Sequence, residues 1–205
     1  MSIAYPKTIE DLIQQFSKLP SVGRKTAERY VFHVIKQNPG QIKLFAKNLN
    51  DILYSIKICK KCMSFSDQEN CKICSDEKRQ DNLICVVANF QDLNSIENTR
   101  QYNGKYFVLN GLINTIESIG PEKLNIKQLV KHVNELIKKH QKIEMILALS
   151  PTIEGETTTL YLKRLLNSPK IKISKLAQGL STGMSLEYVD EITLSNALKY
   201  RNEIK

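Results

Sequence analysis

The stretch CKKCMSFSDQENCKIC, Cys59 to Cys74, limits what this chain can fold into more than any other feature. Cys59 and Cys62 form one C-x-x-C pair, and Cys71 and Cys74 form a second. Two such pairs can bring four thiolates into the tetrahedron that zinc prefers. Lys60, Lys61 and Lys72 stand beside the sulfurs, and positive charge favours the thiolate. Four protein ligands leave no position for water, so the expected ion is one structural Zn2+ per chain rather than a catalytic one. A C-x-x-C pair also suits thiol exchange, but two pairs at this spacing match zinc ligation. So short a segment resembles a ribbon that folds only around its metal. Cys85, inside an apolar run, is expected to be a plain buried thiol.

No apolar run approaches the ~18–20 residues that a membrane span needs. The N-terminal MSIAYPKTIEDL has no apolar leader core. The expectation is a cytoplasmic protein without a membrane span, where thiols stay reduced. The 205 residues, 41% of them hydrophobic, suffice for one or two small cores. Thirty basic against 21 acidic side chains give a formal charge of +9. That balance favours an acidic partner, nucleic acid foremost, over the plainer alternative of a lysine-rich surface kept for solubility.

Hydrophobic periodicity predicts three N-terminal helices. The first covers 8–19, capped by Thr8, with Ile9, Leu12, Ile13, Phe16 and Leu19 on one face. Pro20 stops it, Gly23 is expected to make a tight turn, and a second helix runs from Arg24 to Gln37. Lys25, Arg29, His33 and Lys36 fall on one stripe of that helix, opposite Ala27, Tyr30, Val31, Val34 and Ile35 as core. A basic stripe is usually a solvated face. Here it starts at a helix N-terminus, beside Gly23 and Arg24, where free backbone N–H groups favour a phosphate. A third helix at 41–57 is expected to turn Ile42, Phe45, Leu49, Ile52, Leu53 and Ile56 inward.

From Leu83 the period changes. LICVVA, YFVLNG, IEMILALS and KIKISKL read as strands. Helical patterns at 92–100, 125–140 and 156–167 alternate with them, which implies a mostly parallel sheet with helices on both faces. Asp92 and Glu97 follow the first strand, and Glu154 and Glu156 follow the third. Carboxyl ends of parallel strands are where ligands bind, and carboxylates converging there could hold magnesium. An acid at a helix start is also stabilised by the helix dipole alone. A final helix is expected from Thr193. LEYVDE could be an apolar strand ending in an acid, but no phosphate-binding glycine loop accompanies it.

LPSVGRKTAERYVFH looks like a helix–hairpin–helix, which grips the DNA backbone without reading sequence. Together with the four cysteines, LICVVANFQDLNSIE, GKYFVLNG, SIGPEKL, SPTIEGETTTLYL and LEYVDEITLSNALKYR, it makes the chain resemble the bacterial RecR recombination mediators almost end to end. The resemblance implies an α+β, multi-part architecture. A helix–hairpin–helix domain would cover 1–56, a four-cysteine zinc ribbon 57–79, an α/β Toprim domain 80–176 and a C-terminal segment 177–205. It further implies a DNA-binding protein rather than an enzyme. Such proteins form ring-shaped homotetramers that can encircle DNA. They act with RecO-like and, in many bacteria, RecF-like proteins to load recombinase at gapped DNA. Lys25 and Arg29 match the family's hairpin as the first DNA-facing candidates, with His33, Lys36, Arg24 and Gly23 beside them. The Toprim acids Asp92, Glu97, Glu154 and Glu156 become a partner-binding face. Ser21 stands where such hairpins often carry glycine. Ala88 stands where Toprim enzymes carry a glutamate acting as general acid or base, which disfavours the alternative of a magnesium-dependent nuclease or primase-like enzyme. Leu112, Thr115 and Ser150 also depart from the family pattern.

Overall fold

A computed structural model describes residues 5–201 and 203. Residues 1–4 of the expected first domain, and 202, 204 and 205 of the expected C-terminal segment, lie outside the described residues. The chain forms two compact units, one ending at Ile56 and one beginning at Lys57.

The first unit holds α1 (Lys7–Ser17), α2 (Arg24–Ile35) and α3 (Pro39–Ser55). Helix α1 starts after Pro6, not at a Thr8 cap. Proline fixes its own φ near the helical value and restricts the residue before it, so it sits readily at a helix entrance. Helices α1 and α2 pack through Ile13, Ala27 and Val31, with Ile9, Phe16 and Val22 around them. The core is smaller than the periodicity implied. Tyr30 and Ile35 are exposed, and Val34 is half-buried.

The turn between α1 and α2 corrects the expectation for Gly23. The left-handed residue is Ser21, at φ 63°. Gly23 is extended, at φ −78° and ψ 166°, and caps α2 without a side chain. Left-handed backbone costs an L-residue about 1 kcal/mol, which glycine avoids. Ser21 therefore carries strain where the family pattern favours glycine. Helix α3 also differs from expectation. Asn38 caps it by accepting from the Gly40 N–H, but none of its residues is buried. Phe45, Leu49, Ile52 and Leu53 are about half to three-quarters exposed, so the side expected to face inward is open within this unit.

The second unit opens with β1 (Lys57–Ile58) and β2 (Phe65–Ser66), an antiparallel pair, and the short helix α4 (Lys72–Ser75). A four-stranded parallel sheet follows. It comprises β3 (Gln80–Val87), β4 (Gly104–Val108), β5 (Ile143–Ala148) and β6 (Ile171–Lys175), in the order β4-β3-β5-β6. The connecting helices are α5 (Phe90–Asn98), α6 (Ile126–Lys139) and α7 (Ile153–Leu165). Alternation along the strands sorts side chains onto two faces. Ile84, Val86, Phe107, Met145 and Leu147 pack under α6 and α7, through Leu129, Val133 and Leu162. Cys85, Val87, Tyr106 and Val108 pack under α5, through Leu93. LEYVDE is not a strand. Leu186–Tyr188 form one 3-10 turn, and Asp190 caps α8 (Glu191–Lys199) by accepting from the Thr193 N–H.

Replacing Ser21 with glycine should relieve strain at the hairpin turn. After the larger unfolded-state freedom of glycine is subtracted, a gain of about 0.5 kcal/mol remains. Amide exchange at Val31 should slow about twofold in Ser21→Gly. The β-branched variant Ser21→Val should speed it. Equal exchange in all three chains would show that the turn is unstrained.

Candidate metal centre and nucleic-acid interface

The knuckles of the second unit bring the four cysteines together. Cys59 and Cys62 flank the turn after β1, and the Cys59 N–H donates to the Ser64 carbonyl at 2.8 Å. Met63 takes a left-handed φ of 61°. The second pair starts and ends the first turn of α4, whose cap is Cys71 itself. All four residues are buried, and their sulfurs lie within 4.8 Å of one another. A tetrahedral site with metal–sulfur bonds of ~2.3 Å places its sulfurs about 3.8 Å apart. The Cys62 and Cys71 sulfurs are 3.6 Å apart. Backbone N–H groups already point at the sulfurs, from Cys71 to Cys59 Sγ at 3.3 Å and from Cys74 to Cys71 Sγ at 3.4 Å. The donor set fits a metal ion.

Its electrostatics point the same way. Cys62 is pushed up to about 12, chiefly by its hydrogen bond with Cys71. Cys74 is pushed up by its hydrogen bonds with Cys62 and Cys71. Cys71 is pulled down, first through the hydrogen bond from Cys62. Four sulfurs this close resist carrying four negative charges at once, and a divalent cation removes that resistance. Cys85 is remote in character. Burial in the sheet pushes it up to about 12, as an inert thiol.

The basic stripe is also assembled. Lys25, Arg29, His33 and Lys36 are exposed and line one shallow groove of about 660 Å³, with Tyr5, Tyr30 and Phe32. Among the described residues none of the four has a carboxylate within 4 Å, although Glu28 shares the groove. Arg24 stands apart from this set. Its guanidinium donates to both carboxylate oxygens of Glu10, at 2.7 and 2.8 Å, and also lies 3.4 Å from Glu28. Gly23 has open space where a Cβ would point.

The acids divide. The chain leaves β3 toward β4 and leaves β5 toward β6, so the carboxyl ends of β3 and β5 flank the switch point of the sheet. Ala88 lies there, buried, with its carbonyl accepting from the Gly111 N–H. Asp92 in the first turn of α5, and Glu154 and Glu156 in the first turn of α7, share this end. Glu97 does not. It lies in the last turn of α5, at the opposite end of the sheet, ion-paired with Arg79, which also donates to the carbonyl of Gly104 at the start of β4. Burial works to raise the Glu97 carboxyl, but the hydrogen bonds and charge of Arg79 hold it below the usual range. Helix length explains the separation, since five residues on a helix cover more than a turn. Glu97 therefore leaves the acidic face expected from sequence. Glu156 has an internal partner as well, Lys175 Nζ at 3.1 Å. Glu154 is held low by its own backbone N–H and by Thr152. Gly155 between them is obligatory, because a Cβ there would lie 1.9 Å from the Ser150 carbonyl oxygen.

Two positions that sequence inspection passed over are Arg79 and Lys105. Arg79 stands just before β3, outside every quoted stretch, and Lys105 lies inside GKYFVLNG as the second residue of β4, without a role assigned to it.

Family profiles match most of the chain. One described as "RecR, helix-hairpin-helix" covers residues 9–53. One described as "Toprim domain" covers 82–177, and "RecR, C-terminal" covers 179–202. The chain is similar to proteins named Recombination protein RecR. It is 46% identical to that of Amoebophilus asiaticus over 195 residues, 95% of this chain and 96% of the relative. It is 42% identical to those of Staphylococcus saprophyticus and Prochlorococcus marinus, each over 98% of this chain and 99% of the relative.

The purified chain should hold one divalent ion, and a chelator should lower the melting temperature of the second unit. Ligation requires thiolates, so protons compete with the ion and retention must weaken as pH falls. A melting curve unaffected by chelator, at neutral and at mildly acidic pH, would contradict a structural metal.

Proposed function

This chain belongs to the RecR family of recombination proteins, and we propose that it serves DNA repair as a non-enzymatic DNA clamp and recombination mediator. The observation that carries this is the groove on α2. Among the described residues Lys25, Arg29, His33 and Lys36 line it free of carboxylate partners, beside the N-terminus of α2. Such a surface suits a phosphodiester backbone, because cations and backbone N–H groups neutralise phosphates whatever the base sequence. Arg24 contributes less, since Glu10 and Glu28 already balance it.

The four-cysteine centre is proposed to hold zinc as a purely structural ion. All four donors are sulfur, which suits zinc, and no position remains for a water or substrate. An oligomer, a homotetrameric ring by family resemblance, is supported by the open apolar side of α3, which no described residue of its own unit covers. The proposed location is the cytoplasm, where a cysteine cluster remains reduced; no described helix is long and apolar enough to cross a membrane.

A Toprim enzyme reading lacks support at the switch point. Ala88 offers neither a proton nor a metal ligand, and Glu156 is engaged by Lys175. Asp92 and Glu154, with Glu156 beside them, are better suited to docking a basic protein surface, proposed as that of a RecO-like or RecF-like partner.

A salt titration with gapped and with duplex DNA tests the clamp. The Lys25→Ala/Arg29→Ala double variant should bind more weakly, and the slope of log affinity against log salt should fall by about 1.8 if each side chain meets one duplex phosphate. An unchanged slope would mean that the stripe is a solvated face. In the same titrations Asp92→Lys/Glu154→Lys should keep DNA affinity and lose a basic protein partner. Retained partner binding would remove the acids from the docking surface.

A further inference from the structure

Among the described residues Lys105 is the one buried charged side chain, 7% exposed. An ammonium taken out of water costs several kcal/mol unless every proton finds an acceptor. Lys105 meets that demand with backbone carbonyls rather than with an acid. Its Nζ donates to the Asp76 carbonyl at 2.5 Å, to Ile73 at 3.0 Å and to Cys74 at 3.4 Å. Asp81, mostly exposed, lies 3.7 Å away, beyond hydrogen-bond reach.

The three carbonyls belong to one place, α4 and the residue after it. One is the carbonyl of Cys74 itself, and the other two lie two residues past Cys71 and Cys74. A helix C-terminus presents unsatisfied carbonyls that attract a cation, and β4 supplies that cation from inside the fold. The small cleft alongside, about 100 Å³, is lined by Lys61, His132 and Lys139 as well as by Asp81 and Glu135. No excess of carboxylate there draws the ammonium away. Four thiolates around a divalent ion retain a net charge of about −2, and Lys105 lies against the backbone of one ligand.

We propose that Lys105 is a positioning residue of the metal centre: it fixes the second knuckle to strand β4 and offsets the residual negative charge of the tetrathiolate. Outer-shell partners of this kind orient ligands and alter metal retention about 10–100-fold. The proposal rests on the metal reading of the cluster and has its own test.

Metal release to a chromogenic chelator is measured from the zinc-loaded full chain. Lys105→Met should release the ion about tenfold faster. Lys78→Met, which removes an exposed lysine just beyond the end of the same helix, should stay within about twofold of the unaltered chain. Amide protection at Val86 and Leu147, in the middle of the sheet, should persist in Lys105→Met. Equal release rates, or release that accelerates only as mid-sheet protection is lost, overturns the proposal. A chain that binds no metal at all refutes the metal reading instead.

The unaltered chain gives a second readout that needs no variant to fold. Acylation of Lys105 by an N-hydroxysuccinimide ester should be slow in the loaded chain and should rise toward that of exposed Lys60 when zinc is removed. Rapid acylation in the loaded chain, or continued protection after zinc removal, would equally contradict the latch.

Discussion

The outer edge of strand β4 must be covered, and the second unit depends on how that is done. β4 is the last strand on its side of the sheet, yet all five of its residues are buried. A bare edge offers unpaired N–H and C=O groups to any passing strand. The cysteine ribbon takes one of those groups directly, since the Val108 N–H donates to the Cys62 carbonyl at 2.8 Å, and the Lys105 side chain holds the end of α4 beside the same edge. Ile73 of α4 packs on the α5 face, and Phe65 meets Phe90 edge to face with centroids 5.7 Å apart. The ribbon has little apolar core of its own. A structural zinc contributes about 10–16 kcal/mol to folding at neutral pH, as much as the whole stability of an ordinary domain. A metal bound at the four cysteines would therefore decide whether the edge is capped.

Charge is distributed unevenly. Among the described residues Lys25, Arg29, His33 and Lys36 are left without acids, whereas Arg24 is cancelled within its own unit. Cations gathered along one groove suit a polyanion. At the switch point of the sheet the acids are set out differently. Glu156 is balanced by Lys175, Glu154 lies in the first turn of a helix capped by Thr152, and Ala88 supplies no acid at all. An array this incomplete does not concentrate negative charge as a magnesium site requires. It leaves a moderate negative face, compatible with docking.

Much of this was legible in the sequence, for definite physical reasons. The C-x-x-C pairs are local, so their spacing alone brings the sulfurs together. Strand–helix alternation gave the parallel sheet because the 3.6 period of the N-terminal helices gives way, from Leu83, to short apolar runs rich in β-branched residues. What failed was non-local. Amphipathicity shows that α3 has an apolar side but not that its own unit leaves that side open. Proximity in sequence grouped Glu97 with Asp92, although a helix carries them toward opposite ends of the sheet. LEYVD has apolar residues but no neighbour to pair with, so it forms a 3-10 turn. Gly23 drew attention as the glycine of the turn, while the left-handed backbone falls on Ser21. Lys105 was invisible, because its acceptors are backbone carbonyls about thirty residues away and leave no mark in the sequence.

Amide hydrogen exchange of the full chain, with zinc bound and after its removal at constant pH, tests the capping of the sheet most directly. The expected result is a large loss of protection at Val108 in β4, whose partner is the Cys62 carbonyl. Met145 in β5, flanked by strands on both sides, should change much less. Equal protection at Val108 in the two states would contradict the claim that the metal centre holds the edge of the sheet.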